Sequence, residues 1–211
     1  MRKFICFVSA LIIGLGFNSC KCTNEKENSV VEETEPIVEN MISVDRQDMF
    51  VNYGENYRWY ETSVVLNNYL DEENDGSFTS VSNIFQAVVE ADTKDGHYSA
   101  DTYVITYIHT GGTLDKQIVE GFWIEDCVLN EEVIKLSYRD AYKKVMAVNL
   151  PKPHSRHAIL RKPVGPKECN PQWVFGNIHS TIWVDAVTGE VSEENPAFKG
   201  LNLGTPLGEW P

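Results

Sequence analysis

The stretch YSADTYVITYIHTGG, at residues 98–112, indicates the fold class of this chain. Residues 98–109 are rich in Val, Ile, Thr and Tyr, which favour β-strands. The pair Gly111-Gly112 supplies the positive φ angles that a tight hairpin turn requires. Because residues 103–108 carry apolar side chains on both faces, we expect this strand to lie centrally in a sheet and to be covered.

Three further runs of the same composition indicate that this strand belongs to an antiparallel meander. They lie at about residues 57–70, 78–91 and 117–128. Turn signals separate the runs, among them the Asp-Gly pair at residues 75–76, which favours a tight turn. Short turns join antiparallel strands, whereas parallel strands need a long crossover. The sequence therefore predicts an antiparallel β-meander over residues 48–130.

A helix is predicted after the meander. Ser137 is a good N-cap, and Asp140 stands three residues later, where a capping box has its acid. Apolar residues recur at helical spacing after this cap, and Pro151 ends the pattern because proline cannot continue a helix. Two or three further strands are predicted after the helix, at about residues 156–161, 172–178 and 180–186. The predicted fold class is α+β, with this helix packed on an antiparallel sheet.

Residues 131–192 resemble the PepSY module. The helix opens with SYRDA at residues 137–141, where that module has Ser-x-x-Glu-Ala. Residues 184–191 read VDAVTGEV, where the module has Val-Asp-Ala-x-Thr-Gly-Glu-Val, and the proline-rich insert at 161–171 departs from it. The resemblance implies a helix on an antiparallel sheet, an extracytoplasmic location and a role in inhibiting or holding peptidases, without any catalytic residue. We therefore expect a PepSY-like unit with a C-terminal tail at residues 131–211, either separate from the meander or continuous with its sheet.

The end of this motif also has a structural interpretation from its residues alone. Asp185 is suited to accept backbone N–H bonds across its own turn, and Gly189 is suited to a positive φ. We predict that these two residues build a turn, with ligand binding by the Asp185 carboxylate as the alternative.

The N-terminus carries a predicted lipoprotein signal peptide over residues 1–19. Two basic residues precede the apolar run at residues 4–17, which is shorter than the ~20 residues that a membrane-spanning helix needs. The pair Ser19-Cys20 resembles the lipobox of bacterial lipoproteins. That resemblance implies that Cys20 is acylated and anchors the mature chain to a cell-envelope membrane, expected to be the outer membrane.

Residues 20–47 are predicted to form a flexible acidic tether. Six Glu lie there among Asn, Ser and Thr, and the stretch has no aromatic residue. Such a composition buries too little apolar surface to offset the entropy lost on ordering.

Composition and motifs also restrict the ligand classes. The net charge of −13 repels phosphate backbones, so we exclude nucleic acid as a partner. The acidic run at residues 71–76 resembles the start of a calcium loop, but Ser82 stands where an EF-hand has its bidentate Glu. His154 and His157 lie outside any helical metal-binding pattern. We therefore predict no metal ion and no cofactor.

Two cysteines of the folded part are candidates for a disulfide. Cys127 and Cys169 would form the pair, because the cell envelope permits disulfides. The alternative is two thiols, one of them buried.

These observations predict a non-catalytic binding or inhibitory module that acts on an envelope protein or peptide. One alternative is a glycan-binding accessory lipoprotein that uses exposed aromatic side chains, and a second is an enzyme of unrecognised type. Burial of Trp59, Trp123, Trp173 and Trp183 would count against glycan binding. A concave pocket with two convergent ionisable groups would favour an enzyme.

Two contact surfaces are predicted for a protein partner. The first is an exposed sheet edge, because an edge strand offers unpaired N–H and C=O groups to an added strand. The second is the proline-rich loop at residues 162–171, unless its prolines merely shape the surface. The loop residues singled out as candidates are Lys162, Pro163, Val164, Gly165, Pro166 and Lys167.

Overall fold

The computed structural model describes residues 37–92, 98–124 and 127–201, which form two α-helices and eight strands. In chain order these are α1 (Val38–Tyr53), β1 (Tyr57–Leu66), β2 (Phe78–Asp92), β3 (Tyr98–Thr110), β4 (Thr113–Glu120), α2 (Tyr138–Ala147), β5 (His157–Arg161), β6 (Gln172–Gly176), β7 (Thr181–Asp185) and β8 (Val191–Ser192). A short 3-10 turn at Glu131–Val133 precedes α2. Neither described helix is long and apolar enough to cross a membrane.

All eight strands belong to one antiparallel sheet with the order β4-β3-β2-β1-β5-β6-β7-β8. The chain forms two halves, and each half consists of a helix followed by a four-stranded meander. The halves join where β1 pairs with β5, from Glu61 opposite Arg161 to Val65 opposite His157. The α+β class is thus confirmed, and the meander and the predicted PepSY-like unit share one sheet.

Two details of the predicted meander were wrong. The fourth strand is β4 rather than residues 117–128, because pairing resumes at Thr113 directly after the two-residue turn. Strand β3 is covered by a helix on one face only, because both described helices pack on the same face of the sheet. Ile105 is buried, whereas Val104 and Ile108 on the other face are half-exposed.

The prediction of a tether was wrong for residues 38–47, which belong to helix α1. The buried side chains of this helix are Val38, Ile42, Asp45 and Met49. Their spacing places one narrow stripe against the sheet, while the rest of the helix mixes polar residues with the exposed Val44, Phe50 and Val51. The composition that suggested a tether does not reveal the helical spacing of these buried residues.

Helix α2 begins as predicted. The Asp140 N–H donates to Ser137 Oγ at 3.1 Å, and the Ser137 hydroxyl donates to Asp140 Oδ2 at 2.8 Å. This reciprocal pair satisfies a backbone donor that the helix itself leaves unpaired. The helix buries Tyr138, Ala141, Tyr142 and Val145.

Both helices cover the same face of the sheet. Helix α1 places Asp45 on Asn83 of β2, and helix α2 places Tyr138 and Tyr142 against Phe175 of β6. The buried residues of both helices and of the sheet form one continuous core. Within the described part of the chain no helix covers the opposite face, which is the natural place to look for function.

Candidate functional site

Strand pairing defines rows of side chains that cross the whole sheet, because directly opposed residues share a face. On the helix-covered face one row is at most 1% exposed in every member. Its members, from β3 to β7, are Tyr107, Asn83, Thr62, Leu160, Trp173 and Val184.

The neighbouring row lies on the uncovered face. Its members, from β4 to β8, are Asp115, Ile108, Ser82, Ser63, Ile159, Val174, Trp183 and Ser192. Asp115 is exposed and every other member is half-buried. The row therefore has two serines at its centre and larger apolar side chains on either side of them.

Two opposite charges, a carboxyl and a guanidinium group, face one another at the centre of the uncovered face. Glu61 of β1 stands opposite Arg161 of β5, and Ile84 of β2 flanks Glu61 on the other side. Burial raises the pKa of the Glu61 carboxyl, and the positive charge of Arg161 opposes that rise. The middle of this face thus holds a carboxyl group that surrounding atoms desolvate.

One end of the face is crossed by the chain that leaves β4. The Trp123 N–H donates to Gln86 Oε1 at 2.7 Å, and the Leu129 N–H donates to the Trp59 carbonyl at 2.7 Å. The row that contains Ile108 and Ile159 lies away from this crossing.

Strand β4 forms a long open edge of the sheet. The Gly121 N–H donates to the Thr102 carbonyl at 3.0 Å, which fixes the alternation of the ladder. The odd-numbered residues of β4 therefore bond to β3. The even-numbered residues direct their N–H and C=O groups away from the sheet; they are Leu114, Lys116, Ile118 and Glu120.

The single lysine of β4 is turned away from this edge. Lys116 Nζ lies 2.7 Å from Asp48 Oδ2 of helix α1 and 4.9 Å from the centre of the Tyr107 ring. Hydrogen bonds from Lys116 and from the Tyr107 hydroxyl hold the pKa of Asp48 below its usual value. The lysine charge is therefore neutralised within the fold.

A buried polar network anchors α1 to the first meander. Asp45 is fully buried and accepts from Asn83 Nδ2 at 2.6 Å, while His109 Nε2 lies 2.9 Å from the same carboxylate oxygen. Thr62 donates to Asn83 Oδ1 at 2.5 Å. Burial raises the pKa of Asp45, although the bonds from Asn83 and His109 oppose the rise. Sequence reasoning missed this network because it assigned Asp45 to a tether; helical spacing from Ile42 and Met49 was the available signal.

The predicted turn at residues 185–189 is confirmed. The N–H groups of Val187 and Thr188 each donate to Asp185 Oδ1 at 2.8 Å. Gly189 has a φ of +76°, and its N–H donates to the Asp185 carbonyl at 2.8 Å. Burial acts to raise the pKa of Asp185, but hydrogen bonds, from Thr188 and Asn170 first, outweigh it and lower the pKa.

The proline-rich loop packs against a later segment of the chain. Pro163 is buried, and the Lys167 N–H donates to the Ala197 carbonyl at 3.3 Å. A Cβ atom added at Gly165 would lie 2.5 Å from Ala197 Cβ. These contacts give the loop a structural role, and Val164, at 48% exposure, is its large apolar side chain that faces solvent. Binding by the loop stays a prediction.

The candidate disulfide between Cys127 and Cys169 is not formed in the structure, which has the alternative of two thiols. Cys127 is buried and Cys169 is half-buried, and both are thiols. Burial raises the pKa of the Cys169 thiol, which disfavours the thiolate that disulfide formation requires.

The aromatic and histidine candidates are dispersed. Trp59 and Trp173 are buried, whereas Trp123 and Trp183 are half-exposed. His154 stacks on Tyr69 and lies 3.0 Å from the Asp71 carboxylate. Across residues 37–92, 98–124 and 127–201, no three His, Cys, Asp or Glu side chains are grouped as metal ligands.

The predicted signal peptide, Cys20 and the tether up to residue 36 lie outside the described residues. Comparison of the chain with protein-family models, with characterised proteins and with solved structures gave no match.

Proposed function

We propose that this chain is a lipid-anchored protein of the cell envelope whose folded part is a non-catalytic module that binds an envelope protein or peptide. The observation that carries the binding role is the uncovered face of the eight-stranded sheet. Both described helices pack on the other face, so no helix among residues 37–92, 98–124 and 127–201 covers this one. The anchor rests on the signal sequence and on Cys20.

The size and chemistry of this face suit a protein partner. Strands lie ~4.8 Å apart, so eight of them span about 34 Å, the scale of a standard protein interface. Ile108, Ile159, Val174 and Trp183 provide half-exposed apolar contacts on either side of the central serines. Partner side chains that cover them would gain apolar burial without displacing a buried residue.

The two opposite charges at the centre of the face favour a partner with matching charges. Glu61 and Arg161 offset one another across β1 and β5, so the middle of the face carries little net charge. A partner that leaves either group without a countercharge would lose binding free energy, which discriminates against poorly matched surfaces.

Photo-crosslinking in intact cells tests the binding role. A photoreactive amino acid at Ile159 should give adducts with a protein. The matched control is Val51, which is 74% exposed on the outer side of helix α1. Equal adducts at both positions, or no adduct at Ile159, would contradict the proposed face. Adducts of glycan without protein at Ile159 would favour the glycan-binding alternative, for which Trp183 is the half-exposed aromatic residue on this face.

A pair of cysteine variants tests the anchor. Cys20→Ala should abolish incorporation of radiolabelled fatty acid, whereas Cys22→Ala should leave it unchanged. Retained label in Cys20→Ala with loss in Cys22→Ala would move the anchor to Cys22 and refute the assignment.

A further inference from the structure

We propose that β4 is a docking strand that accepts an extended segment of a partner protein, with alternating basic and apolar side chains, as a ninth strand of the sheet. This inference rests on the proposed function, because it assumes a protein partner, and it assigns that partner a specific edge and a chemical class.

The backbone of β4 is prepared for an added strand. Pairing with β3 runs without a register shift from Thr110 opposite Thr113 to Tyr103 opposite Glu120. The outward N–H and C=O groups of Leu114 and Ile118 consequently lie along a straight, regular ladder. Strand addition uses such a row of groups as its main source of affinity.

β4 lacks most of the features that protect an edge strand. Natural edges are blunted by prolines, bulges, short strands, or charged side chains that point outward or inward. The sequence of β4 has no proline, and its pairing with β3 has no bulge. Its one lysine, Lys116, is held by Asp48. The opposite edge is β8, which is protected by its length of two residues.

The side chains of β4 indicate what an incoming strand carries. On the side of helix α1, Leu114 and Ile118 are 53% and 52% exposed. On the uncovered face, Asp115 is an exposed acid that accepts a hydrogen bond from Gln117 Nε2 at 3.2 Å and forms no ion pair with a described lysine or arginine. Val119, on the same face, is 62% exposed and offers an apolar contact. Since successive side chains of a strand alternate between faces, the complementary segment has apolar residues facing α1 and basic residues facing Asp115.

Charge also argues against a second copy of this chain on the same edge. Each copy has a net charge of −13, so two copies repel one another, and β4 itself adds the acids Asp115 and Glu120 to this edge. Like charges close together across a strand pair are destabilising. A basic segment of another protein removes that repulsion.

Peptide binding to the full-length chain in non-ionic detergent tests the proposal. The probe is a fluorescent peptide of alternating Lys and Val, as long as β4. We expect the same peptide with Glu in place of Lys to bind at least about tenfold more weakly, and Asp115→Lys to weaken binding of the Lys-Val peptide. Hydrogen exchange should slow at the amides of Leu114, Lys116, Ile118 and Glu120 when the Lys-Val peptide binds.

A proline at the edge separates backbone docking from simple charge attraction. Ile118→Pro removes an outward N–H that β3 does not use, so the fold should be retained and peptide binding should weaken at least about tenfold. Ile118→Ala keeps that N–H and should have a smaller effect. Thermal melting of both variants checks that the sheet is intact.

Three outcomes would overturn the docking strand. They are unchanged peptide binding by a folded Ile118→Pro variant, exchange protection away from β4, and a dimer in light scattering that Ile118→Pro dissolves. Crosslinking at Ile159 does not involve β4. Absence of adducts at Ile159 would refute the proposed binding face independently. Adducts at Ile159 together with a failed peptide test would refute the docking strand alone.

Discussion

Glu39 Oε1 accepts a hydrogen bond from the backbone N–H of Tyr138 at 2.6 Å, so a side chain of α1 meets the first turn of α2. The two residues are 99 positions apart. A carboxylate at a helix N-terminus satisfies an unpaired donor and interacts favourably with the helix dipole. Glu39 therefore joins the two halves of the chain, although composition assigned it to a tether.

Glu39→Ala should lower the free energy of unfolding by about 0.5–2 kcal/mol, because it removes this carboxylate from the start of α2. Urea denaturation followed by circular dichroism measures the change. Glu55→Ala, at an exposed acid, is the matched control and should leave the midpoint nearly unchanged. Equal effects of both variants would show that the Glu39 contact contributes nothing specific.

Asp48→Asn should destabilise the protein above pH 3.8 and should matter less in acid. Hydrogen bonds from Lys116 and Tyr107 lower the pKa of Asp48, so its contribution is present above the ordinary value of 3.8. That contribution is lost as the pH falls through the lowered pKa of the folded protein. The measurement is the denaturation midpoint of both proteins between pH 2 and pH 7, a range that spans the pKa values of ~3–5 usual for Asp. A difference that grows toward low pH would contradict the assignment.

Asp45→Asn should show the opposite pH dependence, although Asp45 lies one helical turn away. Burial raises the pKa of Asp45 against the opposing bonds from Asn83 and His109, with the Asp48 charge adding to the rise. The group therefore stabilises the fold most below pH 3.8, and this contribution is lost as the pH rises through the raised pKa. Relative to the wild type, the variant should gain stability as the pH rises over that range. Parallel pH profiles of the two variants would refute the contrast.

Gly189→Val should lower the free energy of unfolding by about 1–3 kcal/mol, because a β-branched residue resists a positive φ. Gly189 has a φ of +76°, and an added Cβ would lie 2.7 Å from Cε of the flexible Lys144. Gly189→Asn should cost less, since Asn enters the left-handed region more readily. Thermal melting of the two variants distinguishes backbone strain from simple crowding, which would penalise both alike.

Limited trypsin digestion should leave the bond after Arg46 intact. Arg46 is part of α1 and forms an ion pair with Glu131, so the helix must detach before a protease can bind the chain there. Mass spectrometry of the resistant fragment gives its N-terminus, which we expect before residue 37. Rapid cleavage after Arg46 would mean that α1 is not docked in solution.

The local features of this fold were predictable from the sequence. Ser137 caps α2, Asp185 closes its turn, and Gly111-Gly112 forms the β3–β4 turn, because each depends on residues within a few positions of one another. The strands were found for the same reason, since alternation and turn residues are local signals.

The α+β class, the caps, the turns and most strands were thus determined by the sequence by itself. Tertiary structure alone decided the pairing of β1 with β5, the burial of Asp45 and the position of β4 at an edge. Each of these depends on which distant surfaces meet, and the apolar stripe of α1 is too narrow to dominate its composition. The sequence predicted an exposed sheet edge as a contact surface, but it could not identify β4 as that edge or find the uncovered face, because exposure is what remains after all other elements have packed.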